Sequence, residues 1–175
     1  MKYLKYLFIL IIVLLLIFIG KGLLTSSISY ENEITVNASA KESWAIMSDE
    51  SNLPKWIKGF KKTEHVSGTP NTVGAVSKVY IEEQGEEMTM EETITAVKEN
   101  ELMAMTFTMD FMNMDYEMSF KEKDGKTVIS SKSTTTGNGI MAKSMVSFMK
   151  GSMSEQEDKN LTNLKNLIEG NTKNY

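Results

Sequence analysis

Fourteen apolar residues run without a break from Tyr6 to Ile19 (YLFILIIVLLLIFI), and the wider span Tyr3 to Leu24 contains only Lys5 and Lys21 as charges. As a helix, 22 residues reach about 33 Å, enough to cross a hydrocarbon core of about 30 Å. Both lysines lie near the ends, where their stems can snorkel toward headgroups. All faces of the segment are apolar, which separates it from an amphipathic core helix. A cleaved signal peptide is the rival reading. Its charge-free core would be the 15 residues Tyr6 to Gly20, at the upper edge of a signal sequence, but the following Lys21-Gly-Leu-Leu-Thr-Ser-Ser offers no small-x-small cleavage site. The pattern therefore predicts a single-pass membrane anchor over residues 1–25 and a separate domain over residues 26–175. Lys2 and Lys5 before the span against Lys21 after it favour an N-terminus inside and a domain outside the cytoplasm.

Beyond the anchor the period changes from continuous to alternating. Ile28, Tyr30, Ile34 and Val36 share one parity and predict a strand. Ser39 followed by Glu42 is a capping box, so a short helix should start near Ala40 and carry Trp44 and Met47 inward. A second helical turn fits Asn52 to Ile57, with Pro54 early in it. Strands follow over Lys61 to Ser67, Ala75 to Glu83 and Glu87 to Lys98, with turns at Gly68 to Asn71, Gln84-Gly85 and Glu99-Asn100. Met103, Met105, Phe107, Met109 and Phe111 are odd; Met112, Met114, Tyr116, Met118 and Phe120 are even. The flip places a turn or bulge between Asp110 and Asn113. Lys123-Asp-Gly-Lys126 is a hairpin signal, and Thr127 to Thr136 is the last strand. Short turns between strands imply an antiparallel sheet. After Gly137-Asn-Gly139, helical spacing runs from Ile140 to Ile168. The fold class is α+β: a strand, two short helices, six further antiparallel strands and a long C-terminal helix.

Composition narrows the chemistry. There is no cysteine, which removes disulfides, thiolate metal sites and cysteine nucleophiles. All 19 basic residues are lysine; taking away Lys2, Lys5 and Lys21 leaves 16 against 23 acidic residues, a net of −7 for the domain. An acidic domain without arginine argues against nucleic acid as a partner. His65 is the single histidine, and no H-x-x-x-H or H-E-x-x-H spacing exists, so no metal and no cofactor is expected. There is no G-x-S-x-G elbow and no glycine-rich phosphate loop. The acidic pairs Glu82-Glu83, Glu86-Glu87 and Glu91-Glu92 read as a solvated hairpin around Gly85.

The stretch Val36 to Asp49 (VNASAKESWAIMSD), then Asn52-Leu-Pro-Lys-Trp56, then Val73-Gly74 leading into a strand, resembles the START-related superfamily that includes polyketide cyclases and the birch-pollen-allergen relatives. The likeness extends over Ser29 to Glu169. It implies a helix-grip fold: a curved sheet wrapped around the C-terminal helix, with a cavity for an apolar ligand between them. The superfamily holds carriers, cyclases, receptors and chaperone co-activators, so the resemblance does not select a function.

Twelve of the 14 methionines fall between Met88 and Met153, on one parity of successive strands and on the first half of the last helix. Methionine adapts to varied apolar shapes, so opposed methionine faces suit a hydrophobic cavity; a filled core rich in methionine is the plainer alternative. The expected lining is Met88, Met90, Glu92, Met103, Met105, Phe107, Met109, Met114, Tyr116, Met118, Met141, Met145, Phe148 and Met149. Glu92 shares the parity of Met90 and Ile94, which points a carboxyl inward unless a bulge turns it to water; Tyr116 is its potential hydrogen-bond donor. Trp44 and Trp56 read as core.

These readings favour a membrane-anchored binder or carrier of a hydrophobic small molecule or lipid. A cyclase- or aldolase-type enzyme is the alternative, with Glu92, Tyr116 and His65 as its only acid–base candidates, no two of them at a recognisable spacing. A non-catalytic protein-interaction module built on the acidic hairpin is the third.

Overall fold

The computed structural model describes residues 2–83 and 85–172; of the predicted Gln84-Gly85 turn, Gln84 lies outside the described residues. Helix α1 (Lys2–Leu24) precedes strand β1 (Ile28–Val36), whose bounds match the alternating stretch. Helix α2 (Ala40–Met47) starts where the capping box puts it: the Ser39 side chain accepts from the Glu42 N–H while the Glu42 carboxylate accepts from the Ser39 N–H. A single 3-10 turn at Glu50–Asn52 leads into α3 (Leu53–Trp56), with Pro54 where a missing N–H is harmless. Six strands follow: β2 (Phe60–Ser67), β3 (Val76–Glu83), β4 (Glu86–Lys98), β5 (Leu102–Thr108), β6 (Met112–Lys123) and β7 (Lys126–Gly137). Helix α4 (Ile140–Thr172) closes the chain as one 33-residue helix running through Gly151.

All pairings are antiparallel and the sheet order is β1-β7-β6-β5-β4-β3-β2. The chain thus starts and ends its sheet at one edge, with β1 beside β7, and leaves β2 at the other. The sheet curves around α4 in the helix-grip arrangement. Cross-strand partners carry one face toward the helix: Met103 opposite Met118, Met105 opposite Tyr116 and Phe107 opposite Met114. The β5–β6 turn falls where the parity flips. The strand ends at Thr108, so Met109 and Phe111 belong to the turn and not to the strand; Met109 N–H donates to the Met112 carbonyl. The bulge in β4 lies between Ile94 and Ala96, beyond Glu92, which therefore keeps its inward parity.

Two apolar clusters pin α4. Toward its C-terminus, Leu161, Leu164 and Ile168 are fully buried among Val36, Trp44, Trp56, Met103, Met118, Phe120 and Ile129. Nearer its N-terminus, Val146 packs with Ile28, Val79, Met90, Met109 and Met112. Strand β7 contributes little apolar surface; its buried face is mostly hydroxyls, namely Thr127, Ser131, Ser133 and Thr135. Thr127 donates to the Ala38 carbonyl at 2.8 Å. Outside the sheet, α1 meets α4 through its last turns. Phe18 stacks on Phe148 with ring centroids 5.9 Å apart, and a Cβ on Gly22 would come within 2.2 Å of Ser144 Oγ and 2.3 Å of the Ile140 carbonyl oxygen.

Leu164→Ala should cost about 2–5 kcal/mol, because it opens a hole where α4 is most enclosed. Urea unfolding of the two proteins followed by circular dichroism measures it; a loss below about 1 kcal/mol would mean that α4 is not held by this cluster.

Candidate functional site

A cavity of about 240 Å³ lies between the middle of α4 and the β2–β6 half of the sheet. Its floor is sheet: Val79 and Ile81 from β3, Met90, Glu92 and Ile94 from β4, Met103, Met105 and Phe107 from β5, Met114, Tyr116 and Met118 from β6. Helix α4 supplies Glu157 and Asn160, and the α2–α3 region supplies Met47, Leu53, Trp56 and Ile57. The rim is exposed: Glu50, His65, Pro70 and Asn71 surround the opening beside the β2–β3 turn. The deep end is closed by buried Trp56, Met103 and Met118.

Eight of the fourteen residues expected from the sequence stand around this space: Met90, Glu92, Met103, Met105, Phe107, Met114, Tyr116 and Met118. The other six do not. Met88 sits on the part of β4 that overhangs β5, since the β4–β5 pairing begins only at Glu91 opposite Thr108. With Met109 it borders a shallow depression at the outer end of these strands. Met109 itself is buried, as a plug against Val146 and Met112. Met141, Met145 and Phe148 face away from the sheet, 62 %, 48 % and 58 % exposed, and Met149 is half-buried without reaching the cavity. The reason is helical phase. Ala142, Val146 and Met153 form the inward stripe in this half of α4, and the larger Met141-Met145-Phe148 stripe, with the same period, lies about 100° around the helix.

Glu157 was missed. It stands in the polar run Ser154-Glu-Gln-Glu-Asp-Lys159, which reads as a solvated face. Yet it lies four residues after Met153, four before Leu161 and seven before Leu164, so it continues the inward stripe; that spacing was the available signal. The Tyr116 hydroxyl donates to Glu157 Oε1 at 2.7 Å. Burial pushes the Glu157 carboxyl above its usual range, with the bonds from Tyr116, Ser131 and Asn160 pulling the other way. Burial, reinforced by the neighbouring Glu157 charge, drives the Tyr116 phenol well above the ordinary tyrosine value. The partner expected for Glu92 thus belongs to another carboxyl. Glu92 itself has no hydrogen bond or ion pair among the described residues, and burial, then the Glu50 charge, raises its carboxyl. His65 is on the rim, with Nε2 3.0 Å from the Gly68 carbonyl oxygen. Trp56, read from the sequence as core, is 6 % exposed and lines the cavity, and its buried indole Nε1–H has no acceptor among the described residues.

Chemically, the arrangement is an apolar, deformable chamber with carboxyls at three places. A carboxyl and a phenol in hydrogen-bond contact can exchange a proton with a bound molecule, and methionine walls can close around varied shapes.

Comparison with known proteins gives three results. The family described as "Polyketide cyclase / dehydrase and lipid transport" matches residues 27–169. No curated protein sequence matches the chain. Solved structures match in shape: Ara h 8.0201 (18 % identity, TM-score 0.58, covering 80 % of this chain and 99 % of that one), SA2116, a protein of unknown function from Staphylococcus aureus (14 %, 0.66, 86 % and 99 %), and the di-domain ARO/CYC BexL from the BE-7585A biosynthetic pathway (17 %, 0.65, 82 % and 50 %). This chain spans half of BexL. At these identities the likeness is one of fold.

The raised Glu92 carboxyl predicts a pH dependence with a definite sign. A carboxyl whose folded pKa exceeds its unfolded one adds stability that is complete below the unfolded value and is lost as pH rises through the folded value. Glu92→Gln removes that loss. Its stability relative to the parent should therefore grow on going from about pH 4 to about pH 8. Urea unfolding across this range measures the difference; a gap that is constant with pH would contradict the buried setting of Glu92.

Proposed function

The chain belongs to the polyketide cyclase / dehydrase and lipid transport family, and from that premise we propose that it is a membrane-anchored binding or carrier domain for a hydrophobic small molecule or lipid. The observation that carries the reading is the cavity of about 240 Å³ with methionine on three successive strands. An apolar guest in such a pocket gains contacts with its lining that water cannot supply.

The N-terminal helix supports the anchor. Tyr3–Leu24 has a mean hydropathy of 3.0, and only 6 % of its apolar window is buried, unlike the core helix of a soluble protein. Ile140, Met141, Met145 and Phe148 extend an exposed apolar surface from the end of α1 along the first half of α4. An apolar band continuous with a spanning helix belongs at the lipid interface. In this arrangement residues 1–25 hold the domain of residues 26–175 against the bilayer, outside the cytoplasm, and shorten the path of a lipid-soluble guest.

Catalysis of cyclase or aldolase type remains the second reading, and the Tyr116–Glu157 contact is the observation that favours it. A guest recovered chemically identical from the parent protein and from Glu157→Gln would remove it.

Two measurements test the main reading. Native mass spectrometry of the full chain released from its membrane should find an apolar molecule that is lost in Met105→Trp and Met118→Trp, whose indoles fill the chamber; an unliganded parent protein counts against a carrier. The mass of the mature chain should include residues 1–25, and the protein should stay with membranes through alkaline carbonate washing. A mature N-terminus beyond Leu24 would replace the anchor with a cleaved signal.

A further inference from the structure

We propose that the cavity selects its occupant by charge: it accepts an apolar molecule whose polar end is a hydroxyl or an ammonium and rejects carboxylate- and phosphate-headed lipids. The inference rests on the binding reading above and adds the chemical class of the ligand. Its basis is the set of polar groups that face the space. Glu50 and His65 stand at the rim, Glu92 rises from β4, and Glu157 with Tyr116 forms the wall below α4. Among the described residues no lysine lines the cavity, and the sequence contains no arginine. The nearby lysines are engaged outside it: Lys55 donates to Asn52 Oδ1 at 2.7 Å, Lys58 to Gln156 Oε1 at 3.3 Å, and Lys62 pairs with Glu64.

An anionic headgroup entering this space meets three carboxyls and, among the described residues, no lysine to neutralise it. Removing a charge from water without a counter-charge is strongly unfavourable, and like charges at short range add to the cost. An ammonium or hydroxyl meets the reverse situation, since Glu92 has no hydrogen bond or ion pair among the described residues and its carboxylate can accept from an arriving donor. The second, independent sign is the space itself: about 240 Å³ stands beside these carboxyls, so the polar end of a guest has room to reach them. A hydroxyl or ammonium hydrogen can donate to a carboxylate oxygen there.

The test uses the full chain in phosphatidylcholine nanodiscs at about pH 8, about four units above the ordinary carboxyl value, which leaves room for the upward shifts of Glu92 and Glu157. Three photoreactive diazirines with the same ten-carbon chain end in an ammonium, a hydroxyl or a carboxylate. Cross-linked positions are mapped by peptide mass spectrometry, and yields at Met103, Met105 and Met118 are divided by yields on α1, which report the local concentration of each probe in the bilayer. The ammonium and hydroxyl probes should exceed the carboxylate probe at the cavity by about tenfold or more. Glu92→Gln should narrow that gap, and it breaks no hydrogen bond or ion pair among the described residues; Glu157→Gln should do the same and serves as the second variant. Equal cavity labelling by the carboxylate probe overturns the charge rule while leaving the binding reading intact. Labelling of α1 alone by all three probes overturns both.

Discussion

Helix α4 is clamped to the sheet by large apolar groups at two places, with polar contacts from Asn32 to Ser154 and from Tyr116 to Glu157 between them, and the cavity exists because of that spacing. Leu161, Leu164 and Ile168 are fixed among Trp44, Phe120 and Ile129; Val146 is fixed against Met109, Met112 and Ile28. Interiors are close-packed where side chains can interdigitate. Here the curved sheet spans the distance between the clamps, and the stretch of α4 above it carries Glu157 and Asn160 where a filled core would carry large apolar groups. The space is therefore a consequence of which helical turns are apolar. Its contents are set by the same choice, because the turns left over bring polar atoms to its wall.

The element plan was legible because each element follows one period with a marked end. Alternation defined β1 from Ile28 to Val36, and the Ser39–Glu42 box started α2 at Ala40. The change of parity near Asp110 marked the β5–β6 turn. The strand half of the cavity lining was legible for a related reason: parity on a strand has two answers, and neighbouring strands must agree. The helix half was not. In the first half of α4, Met141-Met145-Phe148 and Ala142-Val146-Met153 satisfy the same helical period, and size favours the wrong one. The choice is made by Gly22, Phe18 and Ser144, contacts with a distant segment that no local pattern contains. Glu157 was hidden in the opposite way, as a charge inside a run of charges whose phase nonetheless matched Leu161 and Leu164.

Strand β7 shows a further limit of hydropathy. Its inward positions are Thr127, Ser131, Ser133 and Thr135, and only Ile129 gives the apolar alternation that a buried strand usually displays. It occupies the sheet between β1 and β6, paired with β6 along its whole length and with β1 from Thr127 to Thr135, so backbone hydrogen bonding and register hold it where apolar contacts are few. A seam of polar side chains follows on this flank: Asn32 donates to the Ser154 carbonyl at 3.2 Å, and Tyr116 to Glu157 at 2.7 Å. Buried polar groups destabilise a fold unless each finds a partner, and those pairings fix which residue stands opposite which.

The two kinds of lining then divide the work between shape and sign. Methionine side chains have three rotatable bonds and change shape at little cost, so the walls formed by Met90, Met103, Met105, Met114 and Met118 impose few demands on the outline of a guest. The carboxyls cannot adapt in the same way. Glu157 is tied to Tyr116 and Asn160, and Glu92 is held on a strand paired on both sides, opposite Ser77 and Phe107. A chamber tolerant of shape but fixed in charge discriminates by headgroup before it discriminates by chain. In a domain without arginine, lysine and the rim residue His65 are the side chains that could reverse that sign by direct contact, and among the described residues no lysine lines the chamber.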